Sequence, residues 1–166
     1  MTKKLIYIFI VLSTFSATAQ KTLDELLQIY NTRSVPYISV EELRMLQMND
    51  SIVILDARET EEFQVSHIVS AENVGFKEFS SEKISEKIPN KNTPIVVYCS
   101  IGIRSEEIGE KLEKAGFTQV KNLYGGIFEW KNKNYPLVDS TNTETQKVHT
   151  FSKVWSKWLK KGIKIY

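Results

Sequence analysis

The residues best suited to chemistry lie in one short stretch, where an apolar run ends at the single cysteine of the chain. Ile95–Tyr98 has the composition of a buried β-strand, Cys99 follows it, and a short loop leads to Arg104. A strand, a loop and a helix N-terminus, in that order, form a cradle whose backbone N–H groups and helix dipole stabilise an anion. A cysteine there is favoured as the reactive thiolate, and arginine adds a fixed cation. The stretch predicts a nucleophilic cysteine in an anion-binding loop.

The length of this loop narrows the chemistry. On its own, Cys99 would be read as a small buried hydrophobe, and Gly102 as ordinary turn chemistry. Together with Arg104 they indicate a reactive site in which Gly102 lets a backbone N–H turn toward the cysteine sulfur. Only four residues separate Cys99 from Arg104. Cysteine-based phosphatases and arsenate reductases use a longer loop that wraps a tetrahedral oxyanion, so this shorter loop favours a sulfur atom carried on the cysteine.

The pattern Cys-x-x-Gly-x-Arg-Ser after Val-Val-Tyr resembles the rhodanese (sulfurtransferase) family. Further motifs that support the resemblance are Asp-x-Arg at 56–58, His-Ile-x-x-Ala-x-Asn at 67–73, Leu-x-Gly-Gly-Ile-x-x-Trp at 123–130 and Tyr-Pro-Leu at 135–137. The resemblance spans about residues 38–138. Ser66 and Ser70 depart from it, because family members usually have glycines there.

The resemblance implies the fold and the site. Strands alternate with helical segments, which already indicates a parallel sheet covered on both faces. The family adds an α/β, rhodanese-like three-layer fold with a central parallel five-stranded sheet. It also implies that Cys99 is the catalytic residue and carries a persulfide held by the loop. The expected substrate-binding residues are Arg104, Ser100, Ile101, Gly102, Ile103, Ser105 and Arg58.

Several of these residues have a second interpretation. Arg58 either faces the substrate or pairs with Glu61 or Glu62 on the following helix. Ser105 serves equally well as a helix N-cap. His67 is expected to be a structural turn residue rather than a general base. For Asp56, at the end of a predicted strand, and for Trp130, structural roles are favoured.

The function expected from these features is a sulfurtransferase that moves sulfane sulfur from thiosulfate or a persulfide, through a Cys99 persulfide, to a thiophilic acceptor. The acceptor would be cyanide, a small thiol or a protein thiol, and no metal or organic cofactor is needed. Ile101 and Ile103 stand where many sulfurtransferases have polar residues, which favours an apolar or protein donor. The alternative is a non-enzymatic rhodanese-like module that senses sulfur or redox state or binds a protein.

The chain divides into four expected segments. Residues 1–19 have a basic start, an apolar run and a small-residue cleavage signal, as in a secretory signal peptide. Residues 20–34 form an N-terminal helical extension and residues 35–138 the rhodanese domain. The signal peptide implies export to the periplasm or medium of a bacterium. Its removal would leave 20 basic and 20 acidic residues, so electrostatics do not support nucleic-acid binding.

Residues 139–166 lie outside the resemblance and are predicted to form a polar linker and a basic amphipathic C-terminal helix. This segment holds six lysines and two acidic residues. The apolar residues that would share one helical face are Phe151, Val154, Trp155, Trp158 and Leu159. Such a helix either contacts a membrane surface or packs on its own domain, and packing on the domain is favoured.

Overall fold

A computed structural model describes residues 22–49 and 52–166. The expected signal peptide lies outside these residues. The helices are α1 (Leu23–Tyr30), α2 (Val40–Met48), α3 (Thr60–Val65), α4 (Ser81–Lys87), α5 (Arg104–Lys114), α6 (Gly126–Asn132) and a 3-10 helix (Trp155–Trp158). The strands are β1 (Tyr37–Ile38), β2 (Val53–Asp56), β3 (His67–Ile68), β4 (Glu72–Asn73), β5 (Ile95–Tyr98), β6 (Val120–Leu123), β7 (Leu137–Val138), β8 (Lys147–His149) and β9 (Ile163–Ile165). Within the described ranges, no helix has the length and apolar character needed to cross a bilayer.

The expected five-stranded parallel sheet is confirmed, with the strand order β1-β6-β5-β2-β4. All four strand pairs are parallel, and β5 lies at the centre between β2 and β6. Each residue of β5 is buried, as expected for a strand covered on both faces. The carboxyl end of this central strand therefore delivers Cys99 to the edge where α/β folds place their sites.

Successive residues of a strand point to opposite sides of the sheet. Both faces of this sheet are apolar, and helices cover each of them. Val96 and Tyr98 of β5 join a core cluster with α2 and α6. Ile95 and Val97 join a second cluster with α4 and α5. The helix starts follow from local chemistry, since the side chains of Thr22 and Ser39 make capping boxes for α1 and α2. Within the expected helical extension of residues 20–34, the structure has α1 at Leu23–Tyr30.

The prediction of an amphipathic C-terminal helix is wrong. Residues 147–165 form instead a parallel pair of strands, β8 and β9, joined through the 3-10 helix. Val148 and Leu159 are buried in the main core and both tryptophans of the 3-10 helix pack against it. The helical spacing of the apolar residues misled the prediction. A 3-10 turn and one strand pairing bury Leu159 and pack Trp155 and Trp158 on the core, whereas Phe151 and Val154 stay exposed. The segment does pack on its own domain, as favoured.

The two serines that replace family glycines behave differently. Ser70 takes a left-handed backbone conformation with φ of 64°, which glycine adopts at lower cost. Ser66 is extended with φ of −170°, a conformation open to any residue. The fold therefore accommodates both substitutions.

Gly126 holds the cysteine loop against α6. The N–H groups of Ile127 and Phe128, in the first turn of α6, donate to the carbonyl oxygens of Cys99 and Ser100 at 2.9 and 3.2 Å. A Cβ at Gly126 would clash with the Cys99 carbonyl oxygen and lie 2.8 Å from that of Ser100, and the backbone there has φ of +54°. Any side chain would push the loop away from its supporting helix.

We expect Gly126→Ala to lower the free energy of unfolding far more than Gly116→Ala. Both glycines have positive φ, but a Cβ at Gly116 meets nothing within 4 Å. Gly116→Ala should therefore cost only the left-handed penalty of about 1–2 kcal/mol, whereas Gly126→Ala adds the clash with the loop. Urea unfolding of both variants measures the difference. Equal losses would show that α6 does not constrain the loop.

Candidate active site

The Cys99 sulfur lies at the carboxyl end of β5 and the residue is only 1% exposed. The Gly102 N–H donates to Sγ at 3.2 Å, and the Ser105 hydroxyl lies 3.5 Å from it. Gly102 has φ of 107°, a conformation that side chains rarely adopt. The expectation that this glycine turns its N–H toward the sulfur is confirmed.

Two asparagine side chains fix the loop from behind. The amides of Asn31 and Asn122 both donate to the Gly102 carbonyl oxygen, at 2.8 and 2.9 Å. Asn122 is fully buried and its carbonyl oxygen accepts from the Ser105 hydroxyl at 2.7 Å. Asn31 follows α1, so the N-terminal extension contributes directly to the site. Ser105 does not cap α5, whose N-cap is Ile103 with no side-chain bond. Its hydroxyl faces the sulfur instead.

Arg104 forms an ion pair with Glu62. Its two terminal nitrogens donate to both carboxylate oxygens at 2.6 and 2.8 Å, the two-pronged geometry that makes such pairs strong. One of these nitrogens also donates to the Ser100 hydroxyl at 3.1 Å. The Glu62 and Arg104 side chains are 4% and 16% exposed. The guanidinium carbon lies 5.0 Å from the centroid of the Phe151 ring, within cation–π range.

The local electrostatics favour a thiolate at Cys99. Burial by itself raises the pKa of this thiol, but the Arg104 charge and hydrogen bonds from Ser105 and Gly102 outweigh burial and hold the pKa below its usual value. Burial likewise opposes ionisation of Glu62, and its bonds to Arg104 hold the carboxyl pKa below the ordinary range. When the Cys99 thiol is ionised, the site combines a thiolate, a guanidinium and a carboxylate, with one more negative than positive charge.

A pocket of about 110 Å³ opens beside Cys99. The loop supplies one part of its lining and the C-terminal segment supplies the other. The lining residues are Cys99, Ser100, Ile101, Ile103, Arg104, Phe151 and Trp155. The structure therefore brings together the expected residues Cys99, Ser100, Ile101, Ile103 and Arg104.

A family model for the rhodanese-like domain matches residues 39–133. The chain belongs to the rhodanese-like domain family. It is similar to the uncharacterized protein YibN of Escherichia coli, with 32% identity over 59% of this chain and 68% of that protein. It is also similar to the thiosulfate sulfurtransferase GlpE of Coxiella burnetii, with 34% identity over 54% of this chain and 79% of that protein.

A solved structure shows the same fold for this rhodanese-like chain. The thiosulfate sulfurtransferase from Pseudomonas aeruginosa superposes with a TM-score of 0.60 and 26% identity. The match covers 76% of this chain but only 24% of that longer chain. Phe151 and Trp155 lie beyond the residues that the family model matches, so part of the pocket is built by a segment outside the family domain.

Arg58 does not lie where a substrate-binding role requires. Its side chain is fully buried, and it pairs with the equally buried Asp56 at 2.6 Å. The guanidinium also donates to the Ser66 carbonyl oxygen at 2.7 Å. Neither expected alternative is correct, because the nearest carboxylate is two residues upstream on β2. Arg58 ties the end of β2 to the turn after α3, and Asp56 has the structural role that was favoured.

Other residues kept the structural roles expected of them. His67 is buried, stacks on Phe63 at 3.8 Å and contacts the Phe63 carbonyl oxygen at 3.1 Å. Trp130 is fully buried. Within the ranges that the structure describes, no group of three His, Cys, Asp or Glu side chains is placed to hold a metal ion.

Sequence reasoning missed Glu62, Phe151 and Trp155 as site residues. A partly buried arginine requires a carboxylate partner, and α3 begins with an acidic cluster, so a partner in that helix was a reasonable inference. The sequence did not show which of its carboxylates faces inward. The sequence shows an aromatic-rich tail, but nothing in it indicates that these side chains reach the cysteine loop.

We expect Arg104→Gln to raise the pKa of Cys99, because the variant removes a nearby cation and leaves Glu62 unpaired. Thiolate forms as pH rises through the pKa, so the pH midpoint of alkylation by iodoacetamide reports it. In the wild type this midpoint should lie below that of an ordinary thiol, and it should move upward in the variant.

Two further variants make this measurement specific. Arg104→Lys retains a charge and should raise the midpoint less than Arg104→Gln. Arg33→Gln removes an exposed arginine paired with Asp24 and should leave the midpoint where it is in the wild type. An unchanged midpoint in Arg104→Gln would mean that the hydrogen bonds from the loop alone hold the thiolate.

Proposed function

We propose that this rhodanese-like protein is a sulfurtransferase in which Cys99 carries sulfane sulfur as a persulfide. One observation carries the proposal: Sγ lies beside a pocket and is held by the Gly102 N–H at 3.2 Å. A thiolate in this position is a nucleophile, and the pocket beside it offers room for a donor. The similarity to the thiosulfate sulfurtransferase GlpE supports the same activity class.

The chemistry proceeds by two displacements. With thiosulfate, the Cys99 thiolate attacks the outer sulfur, the S–S bond of the donor breaks and sulfite leaves with its electron pair, giving the Cys99 persulfide. With an organic persulfide, the same attack releases the organic thiolate. An acceptor thiolate or cyanide then attacks the outer sulfur of the Cys99 persulfide, takes that sulfur and regenerates the Cys99 thiolate. This is covalent catalysis with ping-pong kinetics.

The chain's own residues have distinct parts in these steps. The Gly102 N–H donates to the sulfur at 3.2 Å, and the Ser105 hydroxyl, which Asn122 orients, lies 3.5 Å from it. Arg104 stabilises the thiolate before attack and the anionic persulfide after it. Glu62 and Ser100 fix the guanidinium in place. The donor and acceptor are a small sulfur compound and cyanide, a thiol or a protein thiol.

The exported location is also proposed, on the character of residues 1–19 alone. Expression of the whole chain in a bacterial host should yield periplasmic or secreted protein with the mass of residues 20–166. Protein that keeps its full mass in the cytoplasm would contradict export, and it would leave the proposed chemistry untouched.

The proposed function predicts a reversible mass change. Incubation of residues 20–166 with thiosulfate or an organic persulfide should add one sulfur, about 32 Da, that cyanide removes, as covalent catalysis requires. Cys99→Ser should show no gain with any donor. Absence of a gain in the wild type with both donor classes would favour a non-enzymatic binding or sensing module.

A further inference from the structure

The C-terminal segment builds the wall of the pocket opposite the cysteine loop. Phe151 and Trp155 both line the pocket, and they lie 18 and 22 residues beyond the end of the family match at residue 133. Their position is fixed by the strand pair β8–β9. Thr150 is fully buried, and its N–H and hydroxyl both donate to the Ile165 carbonyl oxygen at 2.8 and 3.0 Å.

The two aromatic side chains are held independently of one another. Phe151 has φ of 62°, which is uncommon for a bulky residue and persists only where the surroundings impose it. Its N–H donates to Nδ1 of His149 at 3.2 Å, and its ring lies over the Arg104 guanidinium. Trp155 packs edge-on against Tyr30 of α1, with ring centroids 6.2 Å apart. Both extensions of the domain therefore meet beside the pocket.

The Arg104 and Ser100 side chains that line the pocket are already hydrogen-bonded within the protein. Both terminal nitrogens of Arg104 donate to Glu62, and the Ser100 hydroxyl accepts from Arg104. The Glu62 carboxylate cancels the arginine charge. A doubly charged donor such as thiosulfate would have to lose water without gaining an uncommitted cation, which is costly.

The remaining surface of the pocket is hydrocarbon. Ile101, Ile103, Phe151 and Trp155 face the space next to the sulfur. A closed cavity of about 150 Å³ is enough for benzene, so an open pocket of about 110 Å³ suits a short alkyl chain or part of an aryl ring. Burial of such a group against these side chains is favourable in proportion to its apolar area.

We infer that Phe151 and Trp155 make this site selective for an apolar organic persulfide over thiosulfate. The inference rests on the proposed function and names its donor class. In the loading step, the Cys99 thiolate attacks the outer sulfur of R–S–SH, the S–S bond of the donor breaks and R–S⁻ leaves. The products are the Cys99 persulfide, which keeps the proton, and the organic thiolate. During the reaction, the group R packs against Phe151 and Trp155.

The test measures the second-order rate constant for the gain of one sulfur at Cys99, by intact mass, with three donors. Benzyl hydropersulfide is the apolar donor, glutathione hydropersulfide is a charged donor of the same reactive group, and thiosulfate is the inorganic donor. Comparing the two persulfides separates apolar recognition from the greater reactivity of the persulfide group itself. The wild type should react faster with the benzyl compound than with either other donor.

Phe151→Ala and Trp155→Leu should each slow loading by benzyl hydropersulfide about tenfold, which corresponds to about 1.4 kcal/mol. They should change the rates with the two charged donors by less than about twofold, since the charged donors make little use of apolar contacts. Val154→Ala is the matched control, because Val154 is 67% exposed and does not line the pocket. It should leave all three rates unchanged. Phe151→Lys places an uncommitted cation beside the pocket and should raise the rate with thiosulfate.

Each other outcome overturns the inference. If all donors load Cys99 and the ratio of benzyl to charged donors is the same in every variant, the wall does not select the donor while the sulfurtransferase activity stands. If thiosulfate loads the wild type as fast as the benzyl compound, the selectivity is absent. If no donor adds sulfur to Cys99, the proposed function and the inference about donor selectivity both fail. Urea unfolding of each variant identifies any rate loss that comes from misfolding, and Phe151→Lys tests the wall by a gain instead of a loss.

Discussion

The burial of the Cys99 sulfur is the constraint on which the rest of the site depends. A thiolate taken out of water must receive hydrogen bonds and an opposite charge from the protein. Gly102, Ser105 and Arg104 supply them. Arg104 is itself largely buried and needs a carboxylate, which Glu62 of α3 provides. Each buried charge thus requires the next, and the chain of partners links the end of the central strand to a helix from the first half of the domain.

The two segments that flank the rhodanese-like core complete the site. Asn31, just after α1, holds the Gly102 carbonyl oxygen, and Phe151 covers Arg104 from the other side. Tyr30 and Trp155 join the two segments by an edge-on ring contact. The family core supplies the buried cysteine and its loop, whereas the extensions shape the pocket beside the sulfur. The shape of this pocket can therefore change in the extensions while the cysteine and its loop stay the same.

Much of the fold was accessible from sequence because its signals are local. The apolar run Ile95–Tyr98 predicted β5, and the alternation of strands and helical segments predicted the parallel sheet. The prediction of a C-terminal helix failed because non-local contacts decide the structure of that segment. Five apolar residues at helical spacing are compatible with a helix, but the pairing of β8 with β9 satisfies the backbone through contacts between residues 16 positions apart. Short aromatic-rich segments are decided by what they pack against, since their own helix propensity is modest.

The sequence by itself determined the candidate nucleophile and its immediate loop, because Cys99, Gly102 and Arg104 lie within six residues and their spacing sets the local backbone. Only the tertiary structure decided which carboxylate neutralises Arg104, since Glu62 is 42 positions away and its neighbours in α3 are equally acidic. Packing also decided that Arg58 is an interior residue and that Phe151 and Trp155 wall the pocket. These outcomes depend on which side chains are brought together across the fold, and the sum of burial, charge pairing and hydrogen bonding over the whole domain settles them.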